Sequence, residues 1–240
     1  MRYTEKLSVL RTILISFFCV GAVLIACSGA FPQSSTSCDR PVVVIDPGHG
    51  TRNSRVGAVG EARFNMLIGN QLYTRLKESN VNAILTHDHI GQDLGASDAE
   101  QDNRIRAELA NKSHAIIVLR LHCDAPGGRP GIYYPALHPD HVLAEKSKSA
   151  AELIAQEMNS LDVPGGPFAI KGDESTSVGH SNHGLLTGSK LSEFPVVLVE
   201  MAALDRKGTA WLGDTQNQRR LVDALSRALM AIIRRSTTCV

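Results

Sequence analysis

The chain carries almost no net charge: 25 Lys and Arg against 24 Asp and Glu leave +1 at neutral pH. That balance gives no basic footprint and excludes a nucleic-acid partner on compositional grounds. It contains no internal repeat, so a solenoid or propeller is excluded. Its N-terminal apolar run, Thr12 to Ala26, is shorter than the roughly 20 residues a membrane span requires. Disorder is also excluded, because 43% of residues are hydrophobic and only 20% charged. What remains is a chain of 240 residues, long enough for one domain with a substantial core.

Arg2, Lys6 and Arg11 precede the Thr12–Ala26 run, the arrangement of an export signal. The run ends Leu24-Ile25-Ala26-Cys27, which resembles the lipobox of bacterial lipoproteins, where the Cys is lipidated and becomes the new N-terminus. The resemblance implies a signal over residues 1–26, lipidation at Cys27 and a membrane partner through the lipid. Ser28 rather than Asp after that Cys implies outer-membrane sorting, on the periplasmic side. Loss of three cations and one anion with the signal would change the net charge from +1 to −1. Residues 27–40 are rich in Ser, Thr, Pro and Gly and read as a flexible tether. Of the five cysteines, Cys123 reads as a small core residue. Cys38 and Cys239 flank the expected domain, and an exported compartment permits a Cys38–Cys239 bridge.

The domain itself, residues 41–236, alternates short apolar runs with helical periodicity. Val42–Ile45, Val81–Thr86, Ala115–Leu121, Gly131–Tyr134 and Val196–Val199 read as strands. A helix opens at Glu61, with Phe64, Leu67, Ile68, Leu72 and Leu76 on one face. Others are expected over residues 98–111, with Ile105 and Leu109 inward, over 141–160, and over 215–234, with Leu221, Leu225, Leu229 and Ile232 as the stripe. Residues 161–194 read as irregular. The alternation implies an α/β fold: a mostly parallel mixed sheet sandwiched by helices on both faces, in a single catalytic domain.

Four metal-capable or proton-carrying residues sit at expected strand ends or helix starts: His49, Glu61, His122 and Glu200. In open α/β sheets ligands bind beyond the carboxyl ends of strands, so these distant residues are expected to converge. Two imidazoles and a carboxylate can hold zinc with a position left open, and a further carboxylate can move protons. Glu200, at a strand end, suits the proton-carrying role. Asp46, before Pro47-Gly48, is expected to cap the turn or to support a ligand imidazole. The pattern points to a zinc hydrolase.

The same segments resemble the zinc-dependent N-acetylmuramoyl-L-alanine amidases. The resemblance runs through Val43-Val44-Ile45-Asp46-Pro47-Gly48-His49-Gly50, Gly57-Ala58-Val59-Gly60-Glu61 with Asn65, and Thr86–Asp88. It continues through Arg104 with Ala110-Asn111, Leu119–Asp124 and Pro195–Glu200. It implies that His49, Glu61 and His122 hold one zinc ion and that Glu200 is the catalytic base. The implied substrate is peptidoglycan, cut at the amide between N-acetylmuramic acid and L-alanine of the stem peptide. Some relatives need an activator because a long helix plugs the site, and residues 161–194 show no pattern for such a helix.

Departures from the family pattern are Thr51, Arg120, Cys123 and Met201-Ala202-Ala203; none removes an expected ligand. A zinc peptidase or deacetylase acting on wall material, or a non-catalytic wall-binding lipoprotein, are the alternatives. His138 and His141, His180 and His183, and the pairs Arg219-Arg220 and Arg234-Arg235 are expected at the surface.

Overall fold

The computed structural model describes residues 41–52 and 59–237. The expected signal and tether, Cys27, the Cys38–Cys239 pair and Gly57-Ala58 lie outside these residues.

Strand β1 (Val42–Pro47) leads to helix α1 (Val59–Glu78), β2 (Asn82–Leu85), α2 (Ala99–Lys112) and β3 (Ala115–Asp124). Then come β4 (Gly131–Tyr134), α3 (His141–Met158) and β5 (Ala169–Gly172). A 3-10 turn (Asp173–Ser175) and the short helices α4 (Ser177–Ser181) and α5 (Thr187–Lys190) precede β6 (Val196–Ala203). Helices α6 (Arg206–Gly213) and α7 (Thr215–Thr237) finish the domain. The six strands form one sheet in the order β2-β1-β3-β6-β4-β5. β1, β2, β3 and β6 are mutually parallel; β4 runs antiparallel to β6, and β5 is parallel to β4. No described helix is long and apolar enough to cross a membrane.

The two faces of the sheet differ in chemistry. Successive strand residues point to opposite faces. Ile117, Leu119 and Leu121 of β3 point the same way as Val43 and Ile45 of β1 and Val197, Val199 and Met201 of β6. They pack on Ile68, Leu72 and Leu76 of α1, Ile154 and Met158 of α3, and Leu221, Leu225 and Leu229 of α7 in one large apolar core. The opposite face has a much smaller apolar cluster, Val44, Ala115, Val118 and Val196 under Ala110 of α2. Further along the same parity come Asp46, Arg120, His122 and Glu200, with Leu198 among them. The strands are thus apolar on the α7 side and become polar, towards their carboxyl ends, on the α2 side.

Two expectations need correction. Helix α2, whose Asp98 cap accepts the Gln101 N–H, buries Asp102, Arg106 and Ala110. Ile105 and Leu109 are only half-buried. The surface that α2 meets is polar, so charge complementarity rather than apolar periodicity sets its rotation. Residues 161–194 are not irregular throughout, for they contain β5, the 3-10 turn, α4 and α5. β5 is an edge strand with three exposed residues and carries little β signal of its own. Helices as short as α4 and α5 depend on tertiary contacts rather than propensity. No described helix in that segment exceeds five residues.

Leu225 is fully buried where α7 meets the main core. Leu225→Ala is expected to lower unfolding stability by about 2–5 kcal/mol, measured by denaturant titration followed by far-UV circular dichroism.

Candidate metal and catalytic site

The chain leaves β1 through a turn pinned on both sides. The Gly48 N–H donates to the Leu121 carbonyl at 2.7 Å, and the buried Asn65 side chain donates to the Gly48 carbonyl at 2.8 Å. His49 then adopts φ 59° and Gly50 φ 86°. The left-handed region is uncommon for residues other than glycine, although His is among those enriched there. A Cβ at position 48 would collide with the His122 imidazole, so only glycine lets the turn lie against that ring. Glu61 sits in the first turn of α1. β3 and β6 extend further than expected, to Asp124 and Ala203, so His122 and Glu200 lie on the sheet itself, paired across the two strands.

His49, Glu61 and His122 converge. Glu61 Oε1 lies 3.0 Å from His122 Nδ1 and 3.4 Å from His49 Nε2. The two rings are 5.0 Å apart between centroids and nearly perpendicular, at 79°. Each residue offers one ligand atom, and the three atoms lie within 4.8 Å of one another. Zinc bonds of about 2.0–2.2 Å in tetrahedral geometry place neighbouring donor atoms about 3.3–3.5 Å apart. The spacing around Glu61 Oε1 therefore fits a metal centre, and the donor set is one that zinc takes.

Electrostatics favour the same state. Burial pushes the His122 pKa down to about 4, outweighing the opposite pull of Glu61, and the charges of Arg120 and His49 add to the fall. The imidazole is therefore neutral at pH 7, the form that binds metal. Burial opposes ionisation of Glu61, yet contact with His122 and His49 overrides it and holds the carboxyl well below its ordinary range. Glu200 behaves oppositely: burial, then the charges of Asp124 and Glu61, raise its pKa to about 8 against the counter-pull of Arg120. Two carboxylates with pKa values driven apart are the usual mark of an ionised ligand beside a proton carrier.

Asp46 neither caps the turn nor contacts a ligand imidazole. Its Oδ1 accepts from Arg106 Nη1 at 2.6 Å and from Thr86 Oγ1 at 2.7 Å, and its Oδ2 from Arg120 Nε at 3.0 Å. Arg106 also donates to Asp102 Oδ2 at 3.0 Å. All of these groups are buried. The physical reason is parity: Asp46 and Arg120 point to the same face of adjacent paired strands, and α2 lies over that face. The arginines raise the penalty for protonating Asp46, whose carboxyl is held far below its ordinary range despite full burial.

Above the site is a cavity of about 510 Å³ lined by His49, Glu61, His122 and Glu200. Tyr133 of β4, Arg106, Arg120 and residues of the 173–190 segment complete its walls. Sequence reasoning did not assign Arg106 or Tyr133 to the site. The helical spacing of Asp102 and Arg106 on an otherwise buried face was the available signal for Arg106. Cys123 is buried in the main core, as expected, although its backbone N–H also approaches Glu61 Oε1 at 3.4 Å. His141, His180 and His183 are exposed, as expected, but His138 is buried, and its Nδ1 accepts the Asp140 N–H at 3.1 Å.

The sequence profile of the N-acetylmuramoyl-L-alanine amidase family, Amidase_3, matches residues 43–231. The chain belongs to this family. Solved structures with the same fold include N-acetylmuramoyl-L-alanine amidase AmiC2 of Nostoc punctiforme, at 20% identity and TM-score 0.60, covering 81% of this chain and 98% of that one. The catalytic domain of CwlV from Bacillus (Paenibacillus) polymyxa var. colistinus matches at 21% identity and TM-score 0.61, with the same two coverages of 81% and 98%. The CwlD amidase from Clostridioides difficile, solved in complex with the GerS lipoprotein, matches at 18% identity and TM-score 0.61, again covering 81% and 98%. No curated protein sequence matches significantly. In this amidase the family profile spans all four residues His49, Glu61, His122 and Glu200.

Two outcomes follow from this geometry. Gly48→Ala is expected to displace the His122 ring and to abolish stoichiometric metal binding while leaving the protein folded, as read by elemental analysis alongside circular dichroism. The second concerns pH. The folded Glu200 pKa of about 8 lies above its ordinary value of 4.5. Its contribution to stability is therefore full below the ordinary value and lost as pH rises through about 8. Metal-free wild type should lose more melting temperature between about pH 6 and about pH 9 than metal-free Glu200→Gln. An equal loss in both would show that Glu200 does not titrate there.

Proposed function

We propose that this amidase hydrolyses peptidoglycan with one zinc ion held by His49, Glu61 and His122 and with Glu200 as the base. The bond cut is the amide between the lactyl group of N-acetylmuramic acid and L-alanine of the stem peptide. The observation that carries the reading is the shared approach of both imidazole nitrogens to one oxygen of Glu61, with Glu200 beside His122 on the next strand. Two neutral imidazoles and one carboxylate would leave a zinc site with net charge +1. Zinc held by these residues would supply Lewis acidity to an amide carbonyl and to nearby water.

The protein's residues then have separate tasks. His49 is held by the pinned 48–50 turn, Glu61 by the first turn of α1 and the neutral His122 by the pleat of β3. Glu200 takes the proton from the attacking water and passes it to the leaving nitrogen of L-alanine, a transfer suited to a carboxyl whose proton affinity is raised. The Asp46–Arg106–Arg120 cluster holds β1, β3 and α2 in register beneath the cavity. Residues of the 173–190 segment form one wall of the cavity.

The proposal extends to location. The Arg2–Arg11 basic region, the apolar run and Cys27 support export and lipid anchoring, with the domain in the periplasm and the lipid in the inner leaflet of the outer membrane. The short helices of the 161–194 segment support a site that works without release of a long plug.

Purified protein incubated with peptidoglycan should release stem peptides bearing free L-alanine amino groups from intact glycan strands, and a chelator should stop the release. Glu200→Gln should retain zinc and lose about a hundredfold or more of turnover, as expected for removal of a general base. His122→Ala should lose both zinc and activity. Glycan fragments without freed L-alanine amino groups, read by mass spectrometry, would instead indicate a different bond specificity.

A further inference from the structure

We propose that Arg120 is a binding point for a carboxylate of the stem peptide, an inference that rests on the amidase reading above. The argument begins with the donors of the two buried guanidinium groups. Arg106 has an acceptor for every nitrogen: Asp102 Oδ2 at 3.0 Å for Nε, Asp46 Oδ1 at 2.6 Å for Nη1 and Asn103 Oδ1 at 2.7 Å for Nη2. Arg120 has acceptors for two nitrogens only, Asp46 Oδ2 at 3.0 Å for Nε and Asn103 Oδ1 at 3.1 Å for Nη2. Its Nη1 has no acceptor among the described residues. The charge is shared unequally too. Asp102 serves Arg106 alone, while Asp46 is divided between both arginines. Arg120 therefore keeps one donor more than its neighbours in the cluster use, although Glu200 and the buried Asp173 also feel its charge. Arg120 is only 6% exposed, and a charge-assisted hydrogen bond to a carboxylate would satisfy its remaining donor.

Position gives this group a ligand. Arg120 lines the same cavity as His122 and Glu200 and points to the same face of the sheet. It lies two strand residues before His122, about 7 Å along the sheet. Two residues of extended peptide span about the same distance. A stem peptide with its first amide at the metal triad thus brings the α-carboxylate of its second residue to the depth of Arg120. Gly188 of α5 lies closely against the guanidinium group. A Cβ on Gly188 would lie 2.5 Å from Arg120 Nη1 and Cζ. The acidic side chains lining the cavity, Glu61, Asp124 and Glu200, belong to the triad end.

The test compares two substrates differing only in that group: N-acetylmuramoyl-L-alanyl-D-glutamate and its counterpart with the α-carboxylate as a carboxamide. Wild type should favour the carboxylate on the order of tenfold in kcat/KM, mainly through KM, the range expected for one charge-assisted hydrogen bond. Arg120→Gln should bring the ratio close to one. Gly188→Ala, whose methyl would force the Arg120 guanidinium to shift, should lower it as well. Because each ratio is taken on one protein preparation, it does not depend on how much of a variant is folded. A wild-type ratio near one, or the wild-type ratio retained in Arg120→Gln, would overturn the assignment while leaving the amidase reading intact. If wild type frees L-alanine peptides from neither substrate, the amidase reading fails. Calorimetric binding of the two compounds to Glu200→Gln protein then decides the Arg120 site separately, with equal Kd values counting against it.

Discussion

One carboxylate joins the elements that build the site. Asp46 is tied through Oδ1 to Thr86, just past β2, and to Arg106 of α2, and through Oδ2 to Arg120 of β3. Arg120 in turn lies against Gly188 of α5. This fixes three adjacent strands, the helix above them and the segment that roofs the cavity. Such a cluster adds little stability relative to a well-packed apolar equivalent, because desolvating four ions offsets much of their attraction. What it provides is a unique alignment of the strands. His122 follows Arg120 by two residues on β3, and His49 follows Asp46 by three, in the turn just past β1, so the register that matches the ions also brings the imidazoles to Glu61.

The division of labour between the two faces makes this affordable in free-energy terms. The α7 side holds nearly all of the apolar core, including the fully buried Leu119, Leu121, Val199 and Leu225. That core stabilises the sheet independently of the α2 side. The α2 side can then carry buried charge, a carboxyl with a raised pKa and a cavity. A strand pair with apolar residues on both faces would be more stable and would have nowhere to hold His122 and Glu200.

Much of this was legible in the sequence, for identifiable reasons. The strands β1, β3 and β6 are continuous β-branched and aliphatic runs, and α7 carries an unbroken apolar stripe, so periodicity located them. The four site residues were visible because each sits in or beside such an element. The rest depended on pairing partners that a linear pattern does not display. Asp46 looked like a turn residue because the arginines that claim it are 60 and 74 positions away. α2 looked like a helix with Ile105 and Leu109 inward because apolar spacing does not report a charged contact surface. β5, α4 and α5 are held by neighbours rather than by their own propensity. His138 shows no burial signal in the sequence, because its burial comes from the turn before α3.

The backbone at His49 has a consequence for how such a site can change. With φ at 59°, the position admits few side chains without strain: glycine, asparagine, aspartate and histidine foremost. Of these, only histidine and aspartate are common metal ligands. Cysteine or glutamate, both acceptable ligands chemically, would have to distort the turn that Gly48 and Asn65 pin. Divergence at this corner of the site is thus funnelled along one path, from imidazole to a short oxygen donor, which would shift preference towards harder ions. A lineage that abandoned catalysis could pass through asparagine at position 49 with its fold untouched, leaving a protein that keeps the cavity and lacks one of the three candidate metal-binding side chains.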